Sequence, residues 1–268
     1  MNAARETVGF IGLGSQGGPI ALRIGAAGYP LVVWARRAEA LAPFVGAGAS
    51  AADSIAALGA RCTHVGICVV DDAGVREVCA QLLPAMARGG RVAIHSTIHP
   101  ETCRALARDA AARGVALIDA PVSGGAPAAA AGKLTVMVGG AADAVAAARP
   151  LFATFGELIV HLGNVGAGQL AKLVNNALLA AHMGLAQHAL AGGVALGIER
   201  TALAELIKAS SGRSYGFEVY ARLPSPAAFA HGAKMLDKDL GLLGQLLAGN
   251  ANYLALQKSA RDFLDLVP

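Results

Sequence analysis

The chain has 268 residues, enough for one large domain or two ordinary ones with a substantial buried core. A hydrophobic fraction of 55% against 15% charged residues excludes a disordered chain. The net charge is +4, with Lys and Arg scattered and only 4% aromatics, which excludes a nucleic-acid stacking platform.

Strand-like and helix-like runs alternate through the first half. TVGFI (7–11) reads as a strand running straight into glycines, unlike a signal peptide. A helix is predicted from Gly17 to Ala27, closed by Gly28. LVVW (31–34) is a strand and Glu39–Val45 a helix, followed by the strand HVGICVV (64–70) and a helix over Ala73–Met86. RVAIH (91–95), a helix from Pro100 to Arg113, VALIDA (115–120) and LTVMVGG (134–140) complete the alternation. Short β-rich runs separated by helices of about ten residues indicate βαβ units in a doubly wound, mostly parallel sheet. Beyond about residue 165 long Ala/Leu-rich helical stretches take over, at 167–196, 201–211, 228–248 and 251–266. An α/β Rossmann-type domain over 1–164 and an all-α domain over 165–268 are the expected division, with GNVGAG (163–168) as the joint.

No charged residue occurs from Leu173 to Ile198, a length that would span a bilayer. Asn175, Asn176, His182, Gln187 and His188 within it would be costly in lipid, so a buried helix at an interface is the better reading. The four cysteines form no CxxC pair, and no His stands at zinc-ligand spacing. Free thiols in a reducing cytoplasm and no metal are therefore expected.

Gly12-Leu13-Gly14-Ser15-Gln16-Gly17 matches G-x-G-x-x-G between a strand and a helix, the context of a dinucleotide pyrophosphate site. An NAD site usually places an acid at the end of the second strand. Here Trp34-Ala35-Arg36-Arg37 stands instead, and arginine suits a 2′-phosphate, so NADP(H) is favoured over NAD(H). Asp119-Ala-Pro-Val-Ser123-Gly124-Gly125 is either a turn or a cradle of amides for an anion. Lys172 opens a helix that otherwise lacks charge, with Asn176 on the same face. The helix dipole opposes a cation there, which suits a general acid/base more than a solubilising charge. PVSGG is not the GxSxG elbow of a serine hydrolase.

Taken in order, FIGLGSQG, VVDDAGVREV (69–78), HSTIHPET (95–102), DAPVSGG, GKLTVMVGG (132–140), GAGQLAKLVNN (166–176), SSGRSY (210–215) and KDLGLL (238–243) resemble the β-hydroxyacid dehydrogenase family end to end. The resemblance implies hydride transfer between nicotinamide and a small carboxylate-bearing β-hydroxyacid or semialdehyde. Lys172 would then be the proton donor or acceptor and Asn176 its orienting partner. Ser123, Gly124 and Gly125 would hold the substrate carboxylate. Lys238, Arg36, Val69, Val70 and Ser96-Thr97 would contact the cofactor, with Lys238 also near the substrate. Departures from the family pattern are Gln16 for methionine, Val70 for proline and Tyr215 for tryptophan, together with His182 and His188. The other readings are an imine reductase, another 6-phosphogluconate dehydrogenase-like reductase, or a non-catalytic cofactor-binding module. Retention of Lys172, Ser123 and Lys238 argues against the last. A broad Ala/Gly-rich helix face also predicts a homodimer or homotetramer, without nucleic-acid or membrane partners.

Overall fold

Short apolar runs, bounded in β4, β5 and β6 by a polar residue, make strands buried on both faces, and the first unit is built on them. The computed structural model describes residues 5–268. In chain order the first unit carries β1 (Val8–Ile11), α1 (Gly17–Ala26), β2 (Leu31–Trp34), α2 (Ala42–Gly46), β3 (Ser50–Ala51), α3 (Ile55–Arg61) and β4 (His64–Ile67). It continues with α4 (Asp72–Leu82), β5 (Arg91–Ile94), α5 (Pro100–Ala111), β6 (Ala116–Asp119), β7 (Val122–Ser123) and α6 (Gly125–Ala131). β8 (Leu134–Gly139), α7 (Ala142–Phe152), β9 (Gly156–Gly163) and the start of α8 (Ala167–Ala195) complete it.

The strands run β3-β2-β1-β4-β5-β6 in parallel, the doubly wound order, with β8 added antiparallel at Asp119↔Gly139. β7 pairs antiparallel and β9 parallel with β8. Alternate residues feed two cores, one on each face. Val8, Phe10, Val33 and Ala93 enter one; Ile11, Val32, Val92 and Ile94 enter the other.

The second unit holds the rest of α8, α9 (Arg200–Lys208), α10 (Tyr215–Ala221), α11 (Ala230–Leu246) and α12 (Ala251–Leu264). Its core gathers Leu173, Ala177, Met183, Phe217, Tyr220, Leu240 and Phe263, with Tyr220 edge-on to Phe263 at 5.7 Å. Gly184 of α8 faces the Ser259 backbone so closely that no Cβ would fit.

The fold class is the expected one, an α/β doubly wound sheet followed by helices. Several elements differ from the sequence reading. The strand expected over 64–70 ends at Ile67, because Asp71 accepts from Gly74 N and starts α4. The long helix expected from residue 228 begins at Ala230, after a 3₁₀ turn opened by Pro226. α3, α6, α7, α10, β3, β7 and β9 lie outside the elements read from the sequence. The compact units divide at Lys172/Leu173, inside α8, whereas the change of composition falls near residue 165. The first turn of α8 is hydrogen-bonded to β6, which holds it in the α/β unit.

Candidate active site

The glycine loop leaves β1 through Gly12, whose φ of +95° is left-handed backbone open to glycine. A side chain at Gly12 would collide with the Cys68 carbonyl, and one at Gly17 would collide with the Gly12 carbonyl. These two glycines therefore serve the close packing of loop, β4 and α1. Gly14 differs, since a Cβ there would meet none of the described residues within 4 Å and the residue is exposed. An open backbone face beside a helix N-terminus fits a pyrophosphate. Leu13 and Gln16 are half-buried and Ser15 exposed. Cys68, beneath the loop, has its thiol pushed up to about 12 by burial, so it offers no thiolate there.

Arg36 and Arg37 are exposed just past β2, where the ribose end of a dinucleotide lies in this fold. After β4, Val69 N donates to Ser96 Oγ at 2.8 Å, tying the loop of Val69 and Val70 to the one carrying Thr97. Val70 is 66% exposed.

DAPVSGG does two things at once. Asp119, fully buried, points back into the protein and accepts from Gly166 N at 2.7 Å and Gln169 N at 2.9 Å, at the start of α8. Burial pushes its carboxyl above the ordinary range, while those backbone donors pull it down. Ser123 ends β7 half-exposed; Gly124 and Gly125 follow at φ +128° and +71°, conformations that side chains resist. A Cβ on Gly124 would also press on Ala128 at 2.6 Å.

Lys172 lies in the second turn of α8 and is only 9% exposed. Three residues earlier Gln169, wholly buried, donates from Nε2 to Ser96 O at 2.8 Å and accepts from Ile98 N at 3.1 Å. Within the helical unit, Asn176 Nδ2 donates to Asp239 Oδ2 at 2.6 Å, Asn175 Nδ2 donates to Asn176 Oδ1, and Lys238 Nζ pairs with Asp239 Oδ1 at 2.9 Å. The unit thus joins Asn176 and Lys238, two sequence-predicted residues far apart in the chain, through one buried carboxylate.

The sequence does not single out Asp119, Gln169 and Asp239, which the fold bonds to the elements or side chains of the predicted site. Each lies within a short motif beside a more conspicuous residue. Among the described residues no three His, Cys, Asp or Glu side chains are placed to hold a metal ion, and no helix is long and apolar enough to cross a membrane.

Residues 7–163 match the NAD binding domain of 6-phosphogluconate dehydrogenase, and residues 166–265 the NAD-binding domain of NADP-dependent 3-hydroxyisobutyrate dehydrogenase. The chain belongs to the β-hydroxyacid dehydrogenase family. It is 41% identical over 253 residues to the NAD-dependent L-serine dehydrogenase of Pseudomonas aeruginosa, covering 91% of this chain and 82% of the relative. The 3-hydroxyisobutyrate dehydrogenase of the same organism is 38% identical over 255 residues, covering 88% and 83%. The solved structure of Mycobacterium tuberculosis 3-hydroxyisobutyrate dehydrogenase with L-serine aligns at a TM-score of 0.83 and 28% identity, over 98% of this chain and 96% of that one. The protein is an NAD(P)-dependent oxidoreductase acting on CH–OH groups.

Proposed function

We propose that the protein interconverts a small β-hydroxyacid, of the size of L-serine or 3-hydroxyisobutyrate, with its semialdehyde, using NADP(H) in preference to NAD(H). The observation that carries the reading is the buried Lys172 on a helix bonded to the strand that leads into Ser123-Gly124-Gly125. Bound nicotinamide supplies the hydride, or accepts it, at its C4 position. The Ser123 hydroxyl and the amides of Gly124 and Gly125 hold the substrate carboxylate, which fixes the carbon undergoing hydride transfer. In oxidation Lys172 Nζ takes the hydroxyl proton as the C–H bond breaks; in reduction it returns that proton to the developing alkoxide. Asn176 and Lys238 orient substrate and cofactor, each held by Asp239. Gly12 to Gly17, with Val69, Val70 and Thr97, line the cofactor. Arg36 selects the 2′-phosphate.

Residues 1–164 serve as the dinucleotide-binding domain and 165–268 as the substrate and dimerisation domain of a cytoplasmic homodimer or homotetramer. Val174, Leu178, Leu185 and Val194, at 44–54% exposure along α8, support self-association. The test is a spectrophotometric screen of NADP+ and NAD+ against L-serine, 3-hydroxyisobutyrate and related acids. The reading expects turnover with one or more of them and a higher kcat/KM with NADP+. No turnover with any three-to-five-carbon β-hydroxyacid would sink it.

A further inference from the structure

Asp119 sits 47 residues from Gly166 in sequence, yet it does the work of a helix cap. A helix start is ordinarily capped by the side chain just before it, at little cost. Here the acceptor is a carboxylate with no exposed surface, brought from the end of β6, and burying a carboxylate is expensive unless each oxygen is satisfied. Both are satisfied, one by Gly166 N and the other by Gln169 N. The surroundings are shaped for it. A Cβ on Gly139 would approach Asp119 Oδ1 to 2.5 Å, and one on Gly168 would approach Oδ2 to 2.9 Å and overlap the Met137 carbonyl. Gly166 is left-handed at φ +96°. The glycine-rich joint is thus the space into which the carboxylate and the first turn of α8 fit.

Gln169 extends the connection. Its two amide atoms bond the backbone of Ser96 and Ile98, and Ser96 Oγ receives Val69 N. One continuous chain of hydrogen bonds therefore joins the loop after β4, the loop after β5, the end of β6 and the turn of α8 that leads to Lys172. Lys172 follows Gln169 by three residues, about 4.5 Å along the axis. Transfer of a proton in step with hydride requires the amine to be held to within about 0.5 Å, and a lysine stem reaches only as reliably as its backbone is placed.

We infer that Asp119 and Gln169 are positioning residues for the reaction, a latch that fixes the backbone of Lys172 to the same strand ends that carry the cofactor-facing loops. The inference rests on Lys172 being the proton-transfer residue, and the experiment separates the two. Single-turnover hydride transfer is measured for Gln169→Leu, Lys172→Ala and the double variant, with NADPH affinity followed by fluorescence and folding by thermal melting. The latch expects Gln169→Leu to slow the transfer step by roughly tenfold or more, while the NADPH dissociation constant stays within about threefold. It also expects the primary isotope effect from C4-deuterated NADPH to rise toward its full value. In the Lys172→Ala background the same substitution is expected to change the rate by less than about twofold, because the group it positions is gone.

An equal loss in both backgrounds, an unchanged rate in Gln169→Leu, or a parallel loss of NADPH binding overturns the latch while leaving Lys172 in its role. Full turnover in Lys172→Ala alone overturns both. If Gln169→Leu does not fold, Asp119→Asn carries the same cycle, since it keeps the side-chain shape and one accepting oxygen but loses the second.

Discussion

Two glycines of one loop are expected to respond to the same substitution in opposite ways. Gly12→Ala places a methyl group on left-handed backbone at φ +95° and against the Cys68 carbonyl. Left-handed backbone costs a non-glycine residue roughly 1–2 kcal/mol, and overpacking a tight site adds about 1–3 kcal/mol. The sum, about 2–5 kcal/mol, should lower Tm by roughly 4–20 °C in a unit of this size. Gly14→Ala meets none of the described residues within 4 Å and is not in a left-handed conformation. Its stability should change by no more than about 0.5 kcal/mol. The added methyl instead occupies the face assigned to the pyrophosphate, so the NADPH dissociation constant should rise by roughly tenfold or more, about 1.4 kcal/mol. Differential scanning fluorimetry without cofactor, paired with NADPH fluorescence titration, reads both quantities. The assignment of the loop fails if Gly14→Ala binds NADPH as the unmodified protein does, or if it melts as early as Gly12→Ala.

Arg36→Ala with Arg37→Ala should weaken NADPH by roughly tenfold while leaving NADH within about threefold, as isothermal titration would show. Equal weakening of both cofactors contradicts a 2′-phosphate site. His64 is fully buried, and neither ring nitrogen is hydrogen-bonded among the described residues. Burial, followed by the charge of Arg91 and the nearby His95, pushes it down to about 3 from 6.5. A histidine depressed in the folded state is protonated first in the unfolded chain, so stability is lost as pH falls from about 6.5 toward 3. His64→Leu should flatten that acid limb in urea melts taken across pH; an unchanged limb refutes the assignment. Leu178→Glu with Leu185→Glu, on the exposed stripe of α8, should shift the mass in light scattering toward the monomer. A dimer or tetramer surviving both charges places the interface elsewhere.

Much of this molecule is legible in its residues because strands buried on both faces announce themselves. VGFI, LVVW and the runs after them needed only apolar content and flanking glycines to be placed. β9 (GELIVHLG) was harder, since its exposed Leu158 and Leu162 blur the alternation of an edge strand. α6 (GAPAAAA) is nearly all alanine, and α7 has alanine on its exposed face as well as its buried one and Pro150 inside it, so neither sequence marks its buried stripe. For the site, Lys172 stood out because its helix is otherwise uncharged. Asp119 did not, because an acid after a strand reads equally well as punctuation. Only the fold shows that its oxygens meet Gly166 and Gln169. Asp239, next to Lys238 in sequence, likewise reads as an ordinary charge until Asn176 is seen bonded to it.

Whether Lys172 moves the proton while the glycine loop holds the cofactor is decided by one measurement. Lys172→Ala, with NADPH affinity measured on the same sample, should lose roughly 10²–10⁴-fold in the single-turnover rate. Its NADPH dissociation constant should stay within about threefold of the unmodified protein's. A Lys172→Ala protein that binds NADPH normally and reduces its semialdehyde at the original rate would contradict the account.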